Sequence, residues 1–201
     1  MTYKLGIIGT AGRGDDRWKL NSDQFKRMCR VSADYCQSLH VTHGVSGGAA
    51  YADHVIVKLG LSKRISPKNI TLFLPAEIDY EQRQYVDSGF KSPGSTANYY
   101  MKLFYMATGV NGVSDIIELE RLGATLIVNN KGFKARNSDV ANFLQPENQA
   151  AVIAWTFGSD HPGQVTEYDN TTTAIAAGLK DGGTADTWNK CNCKKLHGCL
   201  K

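Results

Sequence analysis

Two glycine pairs in the sequence have the composition of phosphate-binding turns. They are Ser46-Gly47-Gly48 and Gly182-Gly183-Thr184. Glycine leaves the backbone N–H groups unobstructed, and at the start of a helix these groups point outwards at the positive end of the helix dipole. A phosphate is the natural occupant of such a turn. The alternative is a close strand–helix crossing that merely needs small residues.

A third turn of this kind, Thr10-Ala11-Gly12-Arg13, follows the first apolar run of the chain. We interpret Thr10, Gly12 and Arg13 as ligand contacts. Arg13 and Arg136 are suited to phosphate or carboxylate because a guanidinium offers a planar fork of donors, although an exposed salt bridge is the alternative for each. Asp53 is a candidate acceptor for a ribose hydroxyl, or a carboxylate that simply stabilises the start of a helix.

The segment that contains Cys191, Cys193, His197 and Cys199 has enough nitrogen and sulfur donors for a zinc ion. However, a C-x-C spacing on a helix would point the two thiols to different faces, so we predict no metal and no cofactor. The five cysteines are an odd number, which argues against a disulfide framework.

Two histidines are weaker candidates for the site. His43 is expected at the end of a strand beside the Ser46 turn, where it is either a ligand contact or a neutral structural residue. His161 lies in a glycine-containing loop after a predicted strand and is expected at the edge of the site.

The elements that position these residues alternate along the chain. Short apolar runs predict strands over 5–9, 41–45, 70–74, 124–128 and 150–155, and helical spacing predicts helices over 22–39, 49–59, 98–107, 113–122 and 137–144. This alternation is typical of an α/β domain with a Rossmann-like open parallel sheet and helices on both faces. Ligands bind such a sheet beyond the carboxyl ends of its strands, which is where the three turns are expected.

The chain is expected to form one domain over 1–201. One stretch, 79–96, is polar, contains two glycines and is longer than an ordinary connection. We interpret it as an insertion or a lid.

The composition excludes several classes of protein. Of the 201 residues 42% are hydrophobic and 21% are charged, which is usual for a globular domain and not for a disordered chain. The net charge of +4 is spread along the sequence, so nucleic acid is an unlikely partner. No apolar run approaches the roughly 20 residues that cross a bilayer, and we expect a soluble, cytoplasmic protein with no membrane partner. A homo-oligomer is left open.

Taken together, the motifs resemble those of the SLOG superfamily, and most closely those of its small bacterial and phage members. The matching residues are Thr10-Ala11-Gly12-Arg13, Val45-Ser46-Gly47-Gly48-Ala49 with Asp53, Ala135-Arg136-Asn137 and Gly182-Gly183-Thr184-Ala185-Asp186. The resemblance implies a Rossmann-like domain that senses or sequesters a nucleotide or a nucleotide-derived phosphate ligand. A DNA-handling role, as in DNA-processing protein A, is a third alternative.

The second alternative is hydrolysis. The lonely-guy enzymes of this superfamily remove the base from a nucleoside 5′-monophosphate, with an arginine and a glutamate as catalytic residues. Arg136 matches the arginine. In place of the glutamate the chain has only Asp186, one position earlier on the helix, where a rotation of 100° per residue aims it differently. The resemblance therefore implies Arg136 and Asp186 as the catalytic residues of a hydrolase.

Overall fold

The computed structural model describes residues 2–128, 132–145, 149–157, 164–176, 178–180 and 182–200. The strands of this part of the chain are β1 (Lys4–Gly9), β2 (His43–Ser46), β3 (Ile70–Leu74), β4 (Ile78–Asp79), β5 (Gln84–Tyr85), β6 (Thr125–Val128), β7 (Ala150–Phe157), β8 (Val165–Glu167) and β9 (Lys194–Leu200). Its α-helices are α1 (Asp16–Lys19), α2 (Ser22–Ser38), α3 (His54–Leu61), α4 (Pro93–Thr108), α5 (Gly112–Arg121), α6 (Gly132–Phe143), α7 (Thr171–Ala176) and α8 (Gly183–Lys190), and a 3-10 turn covers Pro67–Asn69.

The strands form one large sheet in the order β6-β3-β2-β1-β7-β9-β8, with β4 and β5 in a separate hairpin. Neighbouring strands of the large sheet are parallel, except that β8 runs antiparallel to β9. From β1 the chain builds outwards through β2, β3 and β6, and then returns to the other side of β1 with β7. The carboxyl ends of β1 and β7 therefore form the topological switch point, where open α/β sheets bind ligands. The predicted fold class is confirmed.

Helices cover both faces of the sheet and create two apolar cores. Side chains alternate along β1, so Leu5 and Ile7 face the core beneath helices α2 to α5, whereas Ile8 faces the core beneath helices α6 to α8. Gly6 lies on the second face, where a Cβ atom would come within 2.7 Å of Leu144. Close packing of this kind fixes the helices that carry the site relative to the strand ends.

Helix α2 illustrates how the sequence specifies these layers. The Asn21 side chain accepts hydrogen bonds from the N–H groups of Asp23 and Gln24, which caps the helix. Phe25, Met28, Ser32 and Cys36 recur at helical spacing and form the buried face. The helix predicted over 22–39 is confirmed, and of the two candidate caps that the sequence offers, Asn21 and Ser22, the structure uses Asn21. Among the helices of the described residues, none has both the length and the apolar character that a membrane span requires.

Several predicted boundaries are wrong. Helix α3 begins at His54 and not at residue 49, because residues 50–53 form a turn first. Helices α4 and α6 each begin several residues before the predicted start. Strands β8 and β9 were not predicted: β9 contains lysines, a histidine and a glycine, so it does not read as an apolar run.

The stretch 79–96 is more ordered than its sequence indicates. The hairpin of β4 and β5 buries Tyr85 completely, and its hydroxyl donates to the carbonyl oxygen of Gly48 at 3.0 Å. The Asn98 side chain bonds to both the N–H and the carbonyl of Tyr85, each at 2.8 Å. Ser92 then caps α4, which begins at Pro93. The predicted insertion is therefore hydrogen-bonded, through Tyr85, to the turn at Ser46 to Gly48.

Candidate functional site

A cavity of about 430 Å³ opens at the carboxyl edge of the sheet, beside the switch point. Its walls come from the loop after β1, the turn after β2, and helices α4, α6 and α8. The predicted site residues that line it are Thr10, Arg13, Gly47, Asp53, Arg136, Gly182, Gly183 and Thr184. The three glycine turns thus converge on one cavity. Gly12, Ser46, Gly48 and Asp186 do not line it.

The turn at Gly182 and Gly183 opens directly into this cavity. Gly182 precedes α8 with φ of +92°, and none of the described side chains caps the helix. Among the described residues, a Cβ atom on Gly182 would meet nothing within 4 Å, and one on Gly183 would meet only the Asn137 side-chain nitrogen at 3.5 Å. The first three N–H groups of a helix have no partner within it. Those of α8 are therefore available to an anion in the cavity.

The turn at Ser46 to Gly48 is closed by the protein itself. The Ser46 hydroxyl donates to the carbonyl of Asp53 at 2.9 Å and accepts from the N–H of Gly48 at 3.3 Å. Gly48 has φ of +64°, and a Cβ atom there would overlap with Leu74. Ser46 and Gly48 therefore shape the turn, and within it only Gly47 reaches the cavity.

Asp53 and Arg136 form a buried pair behind Gly47. Arg136 donates to the carbonyl of Gly47 and to the Asn137 side chain, each at 3.2 Å, and its Nη2 lies 4.0 Å from Asp53 Oδ2. A Cβ atom on Gly47 would lie 2.6 Å from Asp53 Oδ2 and 2.7 Å from the guanidinium, so only glycine fits between them. The Nε of Arg136 is buried and has no hydrogen-bond partner among the described residues.

Burial controls the ionisation of this pair. It raises the pKa of Asp53, and the opposing effects of Arg136 and of the N–H groups of Ala49 and Gly47 do not cancel it. Burial also lowers the pKa of Arg136, which Asp53 opposes. Since a guanidinium remains protonated at any ordinary pH, the site keeps the arginine charge.

Two aromatic side chains that the sequence did not single out complete the wall. The guanidinium carbon of Arg13 lies 5.3 Å from the ring centre of Tyr100 and 5.4 Å from that of Phe133. The guanidinium carbon of Arg136 also lies over the Phe133 ring, 5.2 Å from its centre. The only signal for Phe133 was its position three residues before Arg136, which places both on one face of α6. Cationic and flat apolar surfaces therefore lie side by side.

The loop after β1 forms a second polar cluster. The Thr10 hydroxyl donates to Asp16 Oδ2 at 2.5 Å, and the Lys180 ammonium contacts the same oxygen at 2.6 Å. Gly12 donates its N–H to Thr10 and packs near Tyr51, so it shapes the loop. Lys180, which was not predicted, lines the cavity together with Thr10. The lining carries a net positive charge, because its cations are Lys180, Arg13, Lys134 and Arg136 and its carboxylate is Asp53.

The structure places Asp186 away from the cavity, contrary to the catalytic role that the resemblance implied. Its carboxylate pairs with Lys190 at 2.8 Å, one helical turn further along α8. Thr187 lines the cavity instead, and its hydroxyl donates to the carbonyl of Gly183 at 2.9 Å. The rotation of 100° per residue explains the difference, because it turns Asp186 out of the face that Thr187 occupies.

The cysteine-rich segment is divided between two elements. Cys191 is buried at the end of α8, whereas His197 and Cys199 lie in β9, where the His197 Nε2 is 2.8 Å from the Thr156 hydroxyl. Among the described residues, no group of three or more histidine, cysteine, aspartate or glutamate side chains could hold a metal ion.

Of the two weaker histidine candidates, only His43 belongs to the described residues, and it does not line the cavity. His43 begins β2 and does not end it, so it lies at the opposite edge of the sheet, where its Nδ1 is 2.9 Å from the Thr42 hydroxyl. His161 falls outside the described residues.

A protein of Acanthamoeba polyphaga mimivirus, "Uncharacterized protein R261", is 31% identical over 193 residues, which cover 93% of this chain and 90% of the viral protein. No family model matches the chain. No solved structure matches it either.

Proposed function

We propose that this chain, which belongs to the same family as the mimivirus protein, binds a nucleotide or a nucleotide-derived phosphate ligand in the cavity beside the switch point. The protein senses or sequesters that ligand. Membership of the SLOG superfamily is part of the proposal. It is supported by the order of the strands and by the three glycine turns at one edge.

The observation that carries the proposal is the start of α8, which no side chain of the described residues caps. Its N–H groups face a cavity that Arg13 and Arg136 also line, and an unobstructed helix N-terminus is a ready site for phosphate. Arg136 adds a buried Nε donor that no described residue uses. An unpaired buried donor is costly, and a bound oxyanion would satisfy it.

The remainder of the cavity suits the rest of a nucleotide. Tyr100, Met101, Phe133 and Val140 supply apolar and aromatic surface on which a base can pack. Asp53, as the carboxylate in the lining, can accept a hydrogen bond from a ribose hydroxyl. The volume of about 430 Å³ falls within the range of small-molecule sites.

Binding is favoured over hydrolysis because of where the carboxylates lie. An N-glycosidase needs an acid or base within hydrogen-bond reach of the reacting atoms. Asp186 does not line the cavity, and Asp53 accepts from the N–H of Ala49 at 3.4 Å and lies beside Arg136. We therefore treat hydrolysis as the outcome that would overturn the proposal.

The test uses nucleoside 5′-monophosphates, with the matching nucleosides as controls. The protein is incubated with each compound, its melting temperature is measured, and the mixture is then separated by chromatography. We expect a monophosphate to raise the melting temperature, since a ligand that binds only the folded state stabilises it, and to be recovered unchanged. The nucleosides should have a smaller effect, because they lack the group that the α8 turn holds.

Two results would refute the proposal. Release of free base would identify a hydrolase. Equal stabilisation by nucleoside and monophosphate would show that no phosphate site operates at the α8 turn.

A further inference from the structure

A second concavity lies between α2 and α3, and none of its residues lines the first cavity. Its volume is about 610 Å³. Phe25, Cys29, Leu59 and Val110 contribute apolar surface to it. On α2 the lining residues run along one face from Ser22 to Ala33, a distance of about 16 Å at 1.5 Å per residue. We call this surface the α2–α3 groove.

The rims of the α2–α3 groove are basic. Lys26 and Arg30 line it from α2, and Lys58 and Arg64 line it from α3 and the turn that follows. Lys58 is paired with Asp115 at 2.6 Å, but Lys26 and Arg30 make no ion pair within the described residues. No carboxylate lines the groove. An apolar floor between two basic rims calls for a partner with an apolar anchor and carboxylates around it.

The loop before α4 displays such an anchor. The Phe90 side chain is 92% exposed, which is unusual for a residue of this size. The loop around it is ordered, because the Asp87 carboxylate accepts from the N–H of Gly89 at 2.8 Å and from the Ser92 hydroxyl at 2.9 Å. Ser92 in turn donates its N–H to the carbonyl of Gly89 at 3.0 Å. A rigid, exposed aromatic residue is typical of the centre of a protein–protein interface. We call residues 87–92 the aromatic tip.

The surface beside the aromatic tip is acidic. Between Glu77 and Asp87 the chain has four carboxylates and one arginine. Glu77 and Glu81 are exposed, and Tyr80 adds an aromatic ring that is 53% exposed. Within the tip, the Lys91 ammonium lies 5.1 Å from the centre of the Phe90 ring, so the negative charge that complements the α2–α3 groove comes from the hairpin and Asp87.

The aromatic tip cannot reach the groove of its own chain. Phe90 lies just before α4, whereas Thr108 at the opposite end of α4 lines the groove. The sixteen residues of α4 span about 24 Å. An aromatic tip that occupies the groove must therefore come from another molecule, and the complementary surface on this chain points to a second copy.

We propose that the chain forms a twofold dimer in which the aromatic tip of each protomer occupies the α2–α3 groove of its partner. Phe90 packs on the apolar floor, and the hairpin carboxylates face Lys26 and Arg30. Two reciprocal contacts close the assembly. Each then needs to bury only about half of the roughly 1,600 Å² of a standard interface.

The test is the mass of the protein in solution, measured by sedimentation equilibrium over a range of concentrations. The tip variant is Phe90→Ser, and the groove variant combines Lys26→Glu with Arg30→Glu. All three side chains are exposed, so both variants should fold, and their circular dichroism checks this. Trp18→Ser is the matched control because Trp18 is also a large exposed aromatic, 76% exposed, but belongs to neither surface.

We expect wild type and Trp18→Ser to be dimers, and each of the other two variants to have a dissociation constant raised by about 100-fold or more. An equimolar mixture of the tip and groove variants should form heterodimers, because the intact tip of one fits the intact groove of the other. A monomeric wild type, a dimer that survives Phe90→Ser, or a mixture that associates no more tightly than the separate variants would each overturn the proposal.

Discussion

The two glycine pairs look alike in the sequence, but the fold uses them in different ways. At Gly48 the turn is enclosed by Leu74, Tyr85 and the Ser46 hydroxyl. At Gly182 and Gly183 it is open, and within the described part of the chain only the Asn137 side chain comes within 4 Å of an added Cβ atom. The same signature therefore marks a packing requirement in one place and an accessible set of donors in the other.

The difference shows what the motif alone leaves undetermined. Glycine is needed wherever the backbone takes a positive φ or approaches another group closely, and both conditions occur in proteins without any ligand. What makes a glycine turn a binding site is the space in front of its N–H groups. In this chain that space exists before α8, whereas hydrogen bonds and side chains fill it around Ser46 and Gly48.

The largest effect should come from adding a methyl group to the enclosed turn. We expect Gly48→Ala to lower the free energy of unfolding by about 3 kcal/mol or more, because the new Cβ atom would overlap with Leu74 and the backbone has a positive φ. Gly183→Ala, the matched change in the open turn, should change it by less than about 0.5 kcal/mol. Urea denaturation measures both. Equal losses in the two variants would remove the distinction between the turns.

Removing the arginine behind Gly47 should have the next largest effect. Arg136→Ala leaves the buried carboxylate of Asp53 without its partner, and we expect a loss of about 3 kcal/mol of stability at neutral pH.

The double variant Arg136→Ala/Asp53→Asn is the control for this effect. It should recover part of the lost stability, because it removes the unpaired charge as well. A double variant no more stable than Arg136→Ala in denaturation experiments would show that packing, and not charge, dominates.

The same pair predicts how stability depends on pH. Because burial raises the pKa of Asp53, the folded chain holds a proton that the unfolded chain has already released at pH values between the ordinary pKa and the raised pKa. The contribution of Asp53 to stability is therefore fully present below its ordinary pKa and is lost as the pH rises through the raised value. The free energy of unfolding, measured by urea denaturation at a series of pH values, should therefore fall as the pH rises. Asp53→Asn should remove that fall.

The pKa of Asp115 is shifted in the opposite direction to that of Asp53. Burial alone would raise its pKa, but hydrogen bonds from His54 and Lys58 outweigh burial and lower it. The contribution of Asp115 is lost as the pH falls through the lowered pKa, so Asp115→Asn should flatten the acid side of the profile. Two variants with the same pH profile as wild type would contradict both assignments.

A smaller effect is expected for the hydroxyl group at the open turn. Thr184→Val should weaken the binding of a nucleoside monophosphate by about tenfold, which is the loss of one hydrogen bond to a charged group. Asp186→Asn is the control, because Asp186 pairs with Lys190 outside the cavity. It should leave affinity unchanged and cost a few tenths of a kcal/mol of stability through the helix dipole. Calorimetric titration measures the affinity of both variants. A larger loss of affinity in Asp186→Asn than in Thr184→Val would show that Asp186, and not Thr184, contacts the ligand.

The sequence was sufficient for the parts of the fold that depend on local pattern. Buried parallel strands appear as apolar runs, and the turns that follow them meet at one edge, so Thr10, Gly47 and Gly183 could be placed near one another. Asn21 could be identified as a cap because capping depends on the next three residues.

The parts that were missed depend on contacts between distant segments. Tyr85 closes the Gly48 turn from 37 positions away, within a stretch that has no periodic pattern. Phe133 and Lys180 reach the cavity only through the packing of α6 and α8. Asp186 does not line the cavity because a shift of one residue on a helix changes the face, and the phase of α8 is fixed by the burial of Trp188 and Thr187.

The most direct test of the central claim is an amide NMR titration of isotope-labelled protein with a nucleoside 5′-monophosphate. If the open turn holds the phosphate, the largest chemical-shift changes will be at the N–H groups of Gly183, Thr184 and Ala185, and the amide of Gly48 will change little. Changes concentrated at Gly48 and Ala49, or no saturable change at the start of α8, would contradict the account.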